Sequence, residues 1–146
     1  MNEKKKILIL CTGNSARSQM AEGLLKQICQ DEFEVYSAGT KPSVVRAEAI
    51  KVLQEIGIDI SKNRSKSVDE FSQKEIDYVL TVCDNANENC PYFPAKTQVI
   101  HHSFEDPAEV AGDEETRLAA FRRIRDQIRE YLNNTFVEIS SRAELD

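Results

Sequence analysis

Ile7-Leu8-Ile9-Leu10-Cys11-Thr12-Gly13-Asn14-Ser15-Ala16-Arg17-Ser18 is the stretch from which the rest of the chain can be read. The apolar run Ile7–Leu10 has the length of a buried strand and stops at a cysteine. A short polar loop follows, with helical periodicity beginning near Arg17. A loop that closes on a helix N-terminus aims several backbone N–H groups inward, and the helix dipole adds about half a positive charge there. Such a cradle suits a tetrahedral dianion and also the anionic form of a cysteine sulfur. The expected site is therefore an oxyanion loop of Thr12, Gly13, Asn14, Ser15, Ala16, Arg17 and Ser18, with Cys11 as its nucleophile. Arg17, planar and permanently charged, can grip two oxygens at once. Gly13 and Asn14 both tolerate the left-handed backbone that a tight loop needs. Ser18 either caps the helix or donates to the sulfur, and both roles stay open. No Gly-Lys-Ser/Thr follows the glycine, which excludes a nucleotide-type phosphate loop. The plainer alternative is a structural cysteine before an ordinary turn and helix cap. It has to treat the strand, Gly-Asn and the serine after the arginine as coincidence.

With 146 residues, 40% hydrophobic and 30% charged, the chain has the size and composition of one globular domain. No apolar run approaches the roughly 20 residues of a membrane span. Lys4-Lys5-Lys6 before Ile7–Leu10 only faintly imitates a signal peptide, so a cytoplasmic location is expected. A net charge of −6 argues against general nucleic-acid or anionic-membrane binding. Any attraction for an anionic substrate must be local. The four cysteines, Cys11, Cys29, Cys83 and Cys90, are expected to be reactive, metal-binding or simply buried in a reducing compartment.

Outward from the loop, Met20, Leu24, Leu25 and Ile28 predict a helix over about 17–30, in which Cys29 reads as a small buried hydrophobe. Phe33–Ala38 reads as a second strand. A second helix is predicted from about Val44 to Ile56, with Gly57 as its stop. A polar loop from Asp59 to Lys66 leads to a short helix introduced by Ser67. Strands are predicted at Ile76–Val82, ending at Cys83, and at Thr97–His102, with a loop over 84–96 between them. A turn at Phe104-Glu105-Asp106-Pro107 precedes a long helix opened by Asp113-Glu114-Glu115. Leu118, Phe121, Ile124, Ile128 and Leu132 mark its buried face, and the tail from Phe136 has no clear pattern. Strands alternating with helices imply a parallel sheet with right-handed crossovers and helices on both faces. Ligands in such folds sit at carboxyl ends of strands, where Cys11 and Cys83 both fall.

Cys83 and Cys90 lie seven apart on a polar stretch ending in Pro91. Their spacing is a poor match to zinc pairs, which usually have two to four intervening residues. His101 and His102 are adjacent on a strand and point to opposite faces, so no metal is expected. A redox pair fits better, since a thiol in a mobile loop can fold back onto one at a strand end when the Cα atoms come within about 7 Å.

Four segments taken together resemble the thioredoxin-coupled arsenate reductases, which share the low-molecular-weight protein tyrosine phosphatase fold. They are Cys11 through Gly23, Tyr36-Ser37-Ala38-Gly39, Cys83-Asp84 with Cys90-Pro91, and Asp106-Pro107, in the family's order over about residues 5–132. The resemblance implies an α/β three-layer sandwich with a four-stranded parallel sheet of order 2-1-3-4, and the length predicts 1–146 as a single catalytic domain. It implies arsenate as substrate, no cofactor, thioredoxin as the reductant, and a monomer. Catalytic roles fall on Cys11, Arg17, Cys83, Cys90 and Asp106. Cys11 attacks arsenic in the loop 12–18 while Asp106, in its acid form, protonates the leaving oxygen. Cys83 then attacks Cys11 and Cys90 attacks Cys83, so the disulfide moves to Cys83–Cys90. The rival is a phosphomonoesterase of the same fold, using Cys11, Arg17 and Asp106 alone. Against it, Ala108-Glu109 follow Asp106-Pro107 where such phosphatases typically offer aromatic residues. Some of the reductases bind potassium through residues matching Asn14, Glu22 and Ser37. The basic Arg64-Ser65-Lys66 here implies a lysine ammonium in that place and no metal requirement.

Overall fold

The computed structural model describes residues 4–29, 31–84 and 92–145, with side chains through residue 136. Its elements run β1 (Lys5–Cys11), α1 (Arg17–Cys29), β2 (Phe33–Gly39), α2 (Ala47–Gln54), β3 (Tyr78–Thr81), β4 (Gln98–His101) and α3 (Glu114–Leu145). Short 3-10 turns stand at Val68–Phe71 and Pro107–Glu109. β1 pairs in parallel with β2, from Lys5↔Phe33 to Cys11↔Gly39, and with β3, from Ile7↔Tyr78 to Leu10↔Thr81. β4 pairs with β3, giving the four-stranded order β2-β1-β3-β4 that the resemblance implied.

A central strand covered on both faces must be apolar at every position. Ile7, Leu8, Ile9 and Leu10 are accordingly all fully buried. Alternation along the strand divides them. Ile7 and Ile9 join the larger core, with Met20 and Leu24 of α1, Leu53 of α2 and Phe121 of α3. Leu8 and Leu10 join a smaller cluster with Phe71, Ile76 and Phe93. The three α-helices thus gather on one face, which corrects the expectation of helices on both. The opposite layer, among the described residues, is thinner and consists of the turn at Val68–Phe71 with irregular chain around Phe93. None of the described helices is long and apolar enough to cross a membrane.

The expected face of α3 is buried throughout, from Leu118 to Leu132. Phe136 extends it, so the tail that had no readable pattern continues the helix. α2, expected from Val44, begins only at Ala47, because the backbone before it is committed to the loop after β1. β3 and β4 are shorter than expected, although Asp77 N–H to Lys6 O and Val82 N–H to Leu10 O continue the pairing past the ends of β3 at 3.0 Å each. Ser67 introduces its 3-10 turn as expected, its hydroxyl accepting from Asp69 N–H. Residues 85–91 of the expected loop, Cys90 among them, lie outside the described residues, and 92–96 form no regular element.

Candidate active site

The loop 12–18 closes over the carboxyl end of β1, and a strap formed by residues 40–46 holds its carbonyls outward. Lys41 N–H donates to Thr12 O (2.9 Å), Ser43 N–H to Gly13 O (3.3 Å) and Arg46 N–H to Ser15 O (2.9 Å). The Ser65 hydroxyl adds a second bond to Gly13 O at 2.9 Å. Peptide planes held in this way turn their N–H groups to the inside of the loop, which is how a chain without a cofactor builds an anion cradle. The Asn14 N–H reaches Cys11 Sγ at 3.3 Å.

Asn14 carries the left-handed turn, at φ 48°, whereas Gly13 does not adopt it. Of the two residues expected to tolerate such angles, Asn14 is the one that adopts them. The strain of that conformation is offset by the side chain, which is fully buried and hydrogen-bonded on both ends. Its Oδ1 accepts from Lys66 N–H (2.9 Å) and Gln19 Nε2 (3.0 Å). Its Nδ2 donates to Ser18 Oγ (2.8 Å) and Ser37 Oγ (3.0 Å). These bonds decide between the two roles left open for Ser18. It lies inside α1 rather than before it, and its Oγ is 2.8 Å from Cys11 Sγ. That oxygen also accepts from Asn14, which holds the hydroxyl against the sulfur, where it can donate to the thiolate. The buried chain continues from Ser37 Oγ, which donates to Glu22 Oε1 at 2.9 Å.

Glu22 is buried, and donors surround it. Besides Ser37, Asn63 Nδ2 (2.9 Å) and Lys26 Nζ (3.3 Å) reach its Oε2, and Lys66 Nζ lies 4.0 Å from its Oε1. Burial pushes the Lys66 ammonium below the usual lysine value, and the attraction of Glu22 opposes this only in part. A bound potassium ion needs oxygen lone pairs aimed at it. Here those of Glu22 face N–H, O–H and ammonium groups, so the set Asn14, Glu22 and Ser37 does not fit that ion.

Arg17, the first residue of α1, is 4% exposed. Its Nη1 donates to Phe104 O at 3.1 Å, and its Nη2 lies 3.7 Å from Asp106 Oδ2. Asp106 also accepts from Ala108 N–H at 3.0 Å, capping the turn at Pro107–Glu109. It is thus both the turn residue and a neighbour of the oxyanion loop. Cys11 and Cys83 come to the same end of the sheet: Leu10 is paired with Thr81, and the cysteines follow one and two residues later on strands about 4.8 Å apart. Both are buried. Cys83 is disulfide-bonded, whereas Cys11 and Cys29 are free thiols. Cys29 is remote from this end, its thiol bonded to Leu25 O at 3.3 Å and pushed up to about 12 by burial and by Glu32. It is the buried hydrophobe expected.

Gln19, Glu22, Ser37, Ser65 and Lys66 support the loop without having been singled out there by local pattern. Gln19 is fully buried and bridges Asn14 to Arg64 O (3.0 Å) and Asn63 (3.1 Å). The local signal available was a pair of polar residues, Gln19 and Glu22, among the apolar residues Met20, Ala21, Leu24 and Leu25 on the first turns of α1.

The family model for low molecular weight phosphotyrosine protein phosphatase matches residues 6–145. An arsenate reductase of Halalkalibacterium halodurans is 45% identical over 135 residues, covering 92% of this chain and 96% of its own. Among solved structures, an arsenate reductase in the phosphate-binding state superposes with a TM-score of 0.77 at 32% identity, covering 92% of this chain and 98% of the other. A thioredoxin-dependent arsenate reductase of Corynebacterium glutamicum superposes with a TM-score of 0.66 at 25% identity, over 94% of this chain and 64% of that one.

Proposed function

This chain belongs to the low molecular weight phosphotyrosine protein phosphatase family, and within it to the arsenate reductases; on that premise we propose that it reduces arsenate to arsenite through three of its own cysteines. The observation that carries this beyond simple ester hydrolysis is the second thiol position, Cys83, at the end of the strand beside Cys11. Arsenate sits in the loop 12–18, held by its N–H groups and by Arg17. Cys11 thiolate attacks arsenic, and one oxygen leaves as water with a proton from Asp106. Cys83 thiolate then attacks Cys11 Sγ. The sulfur–arsenic bond breaks, its electron pair stays on arsenic, and arsenite departs from a Cys11–Cys83 disulfide. Cys90 attacks Cys83, forming Cys83–Cys90 and freeing Cys11.

A dithiol must reopen that last bridge. Thioredoxin is the proposed donor, supported by the thioredoxin-dependent relative among the similar structures. A monomer in the cytoplasm, where thiols are kept reduced, suits such a cycle. The match over 6–145 supports one catalytic domain. The test is arsenite production from arsenate with thioredoxin and its reductase, beside hydrolysis of an aryl phosphate by the same sample. Arsenite formed over many turnovers supports the reading, and ester hydrolysis alone would replace it with the phosphatase. A weak phosphatase side activity is expected, because Cys11, Arg17 and Asp106 suffice for it and the cradle treats phosphate and arsenate alike. Since Glu22 already has Lys66 and Lys26 as counter-charges, exchanging potassium for sodium at constant ionic strength is expected to leave kcat/KM for arsenate unchanged. Strong activation by potassium would refute the assignment of that role to lysine.

A further inference from the structure

A buried guanidinium is aimed only as well as the groups that hold it. Arg17 is held on one side by Phe104 O and Asp106 Oδ2, both on the segment that leaves β4. β4 is an edge strand, so the chain beyond it has no neighbouring strand to fix its path. Among the described residues its backbone is tied back by His102 N–H to Thr81 O at 3.0 Å, and Glu105 makes an exposed ion pair with Arg123. Between these points three rings take over. The His102 imidazole stacks on Phe104, with centroids 4.7 Å apart and planes at 28°. It also lies 4.2 Å from the ring of Tyr131 on α3, and Phe104 meets Tyr131 edge-on at 5.9 Å and 75°. These are the offset and edge-to-face arrangements that aromatic quadrupoles favour. Phe104 is 4% exposed, so its ring and its carbonyl move together against a fixed helix.

We propose that His102 and Tyr131 are positioning residues for the oxyanion grip: by clamping Phe104 to α3 they set the carbonyl that orients Arg17, and with it the approach of Asp106. Neither touches the anion. Their effect passes through Arg17, whose two-oxygen grip loses force steeply with misalignment. The clamp deepens the oxyanion reading above and rests on it. His102 is exposed and borders an open groove of about 360 Å³, so its ring can be changed without emptying the core.

The experiment compares Tyr131→Leu, Tyr131→Phe and His102→Leu with the parent protein. Binding of inorganic phosphate is followed by calorimetry, arsenate KM and kcat by arsenite release, and folding by melting temperature. Tyr131→Leu and His102→Leu are expected to weaken phosphate binding and raise KM by roughly tenfold, with Tyr131→Phe restoring both because the ring, not the hydroxyl, makes the clamp. If Tyr131→Leu does not fold, His102→Leu carries the same comparison from the exposed side of the stack. Leucine variants that bind phosphate like the parent would overturn the clamp. So would losses that follow melting temperature and are not rescued by phenylalanine. A parent protein that binds no phosphate would instead overturn the oxyanion reading itself.

Discussion

Arsenite release by the Cys90→Ser protein is expected to stop after about one equivalent per chain, however much arsenate and thioredoxin are supplied. Its first turnover should run at the parent rate, because in the proposed relay Cys11 and Cys83 complete the reduction of arsenic between them. The protein left behind carries a Cys11–Cys83 bridge, which mass spectrometry after alkylation identifies as a tethered peptide pair. The reason is steric as well as chemical. Both sulfurs of that bridge come from residues buried at the sheet's carboxyl end, where a second protein's thiolate has poor access. In the proposed relay Cys90 takes the disulfide over from Cys11. Sustained turnover by Cys90→Ser with thioredoxin would mean that the donor reaches the first bridge directly, and the three-cysteine relay would fall.

Gly39→Ala is expected to cost at least about a hundredfold in kcat/KM without touching a reacting group. Gly39 is paired with Cys11 across β2 and β1, and Lys66 O accepts its N–H at 2.9 Å. A Cβ there would run into Thr12 O and come within 2.9 Å of Asn14 N, both of them backbone atoms of the oxyanion loop. No rotamer relieves such a clash, so the loop must move away from its strap. Phosphate binding should weaken in parallel with kcat/KM, and the stability loss should be about 1–3 kcal/mol by denaturant titration. An alanine variant with parent-like phosphate affinity would show that the loop does not depend on this close approach.

Cys11, Arg17 and the loop between them lie within one short run, which is why they could be read before any fold was known. From Ile7 to Arg17 the strand, the turn and the helix start are local events, each dictated by periodicity and turn chemistry over a few residues. The buried face of α3 was legible for the same reason, since Leu118, Phe121 and their fellows repeat at helical spacing. The sheet order came with the family resemblance, because alternation of strands and helices states only that neighbours are parallel. Expectations failed where tertiary hydrogen bonds outweighed local preference. Val44–Arg46 has helical patterning, yet it stays extended because Ser43 and Arg46 give their N–H groups to the loop. Gly13 and Asn14 both tolerate a left-handed turn, and local pattern did not choose between them. Asn14 takes that conformation because four side-chain bonds secure it there.

Local pattern therefore pointed to Cys11 as a nucleophile in an anion loop with Arg17, and to strands that deliver two cysteines to one end. It could not tell what tunes that loop. Ser37 reaches Glu22 across 15 residues, Lys66 reaches Asn14 across 52, and Phe104 reaches Arg17 across 87. Contacts between residues so far apart exist only once the sheet has assembled in the order β2-β1-β3-β4, because a hydrogen bond acts over about 3 Å and leaves no periodic trace in the chain.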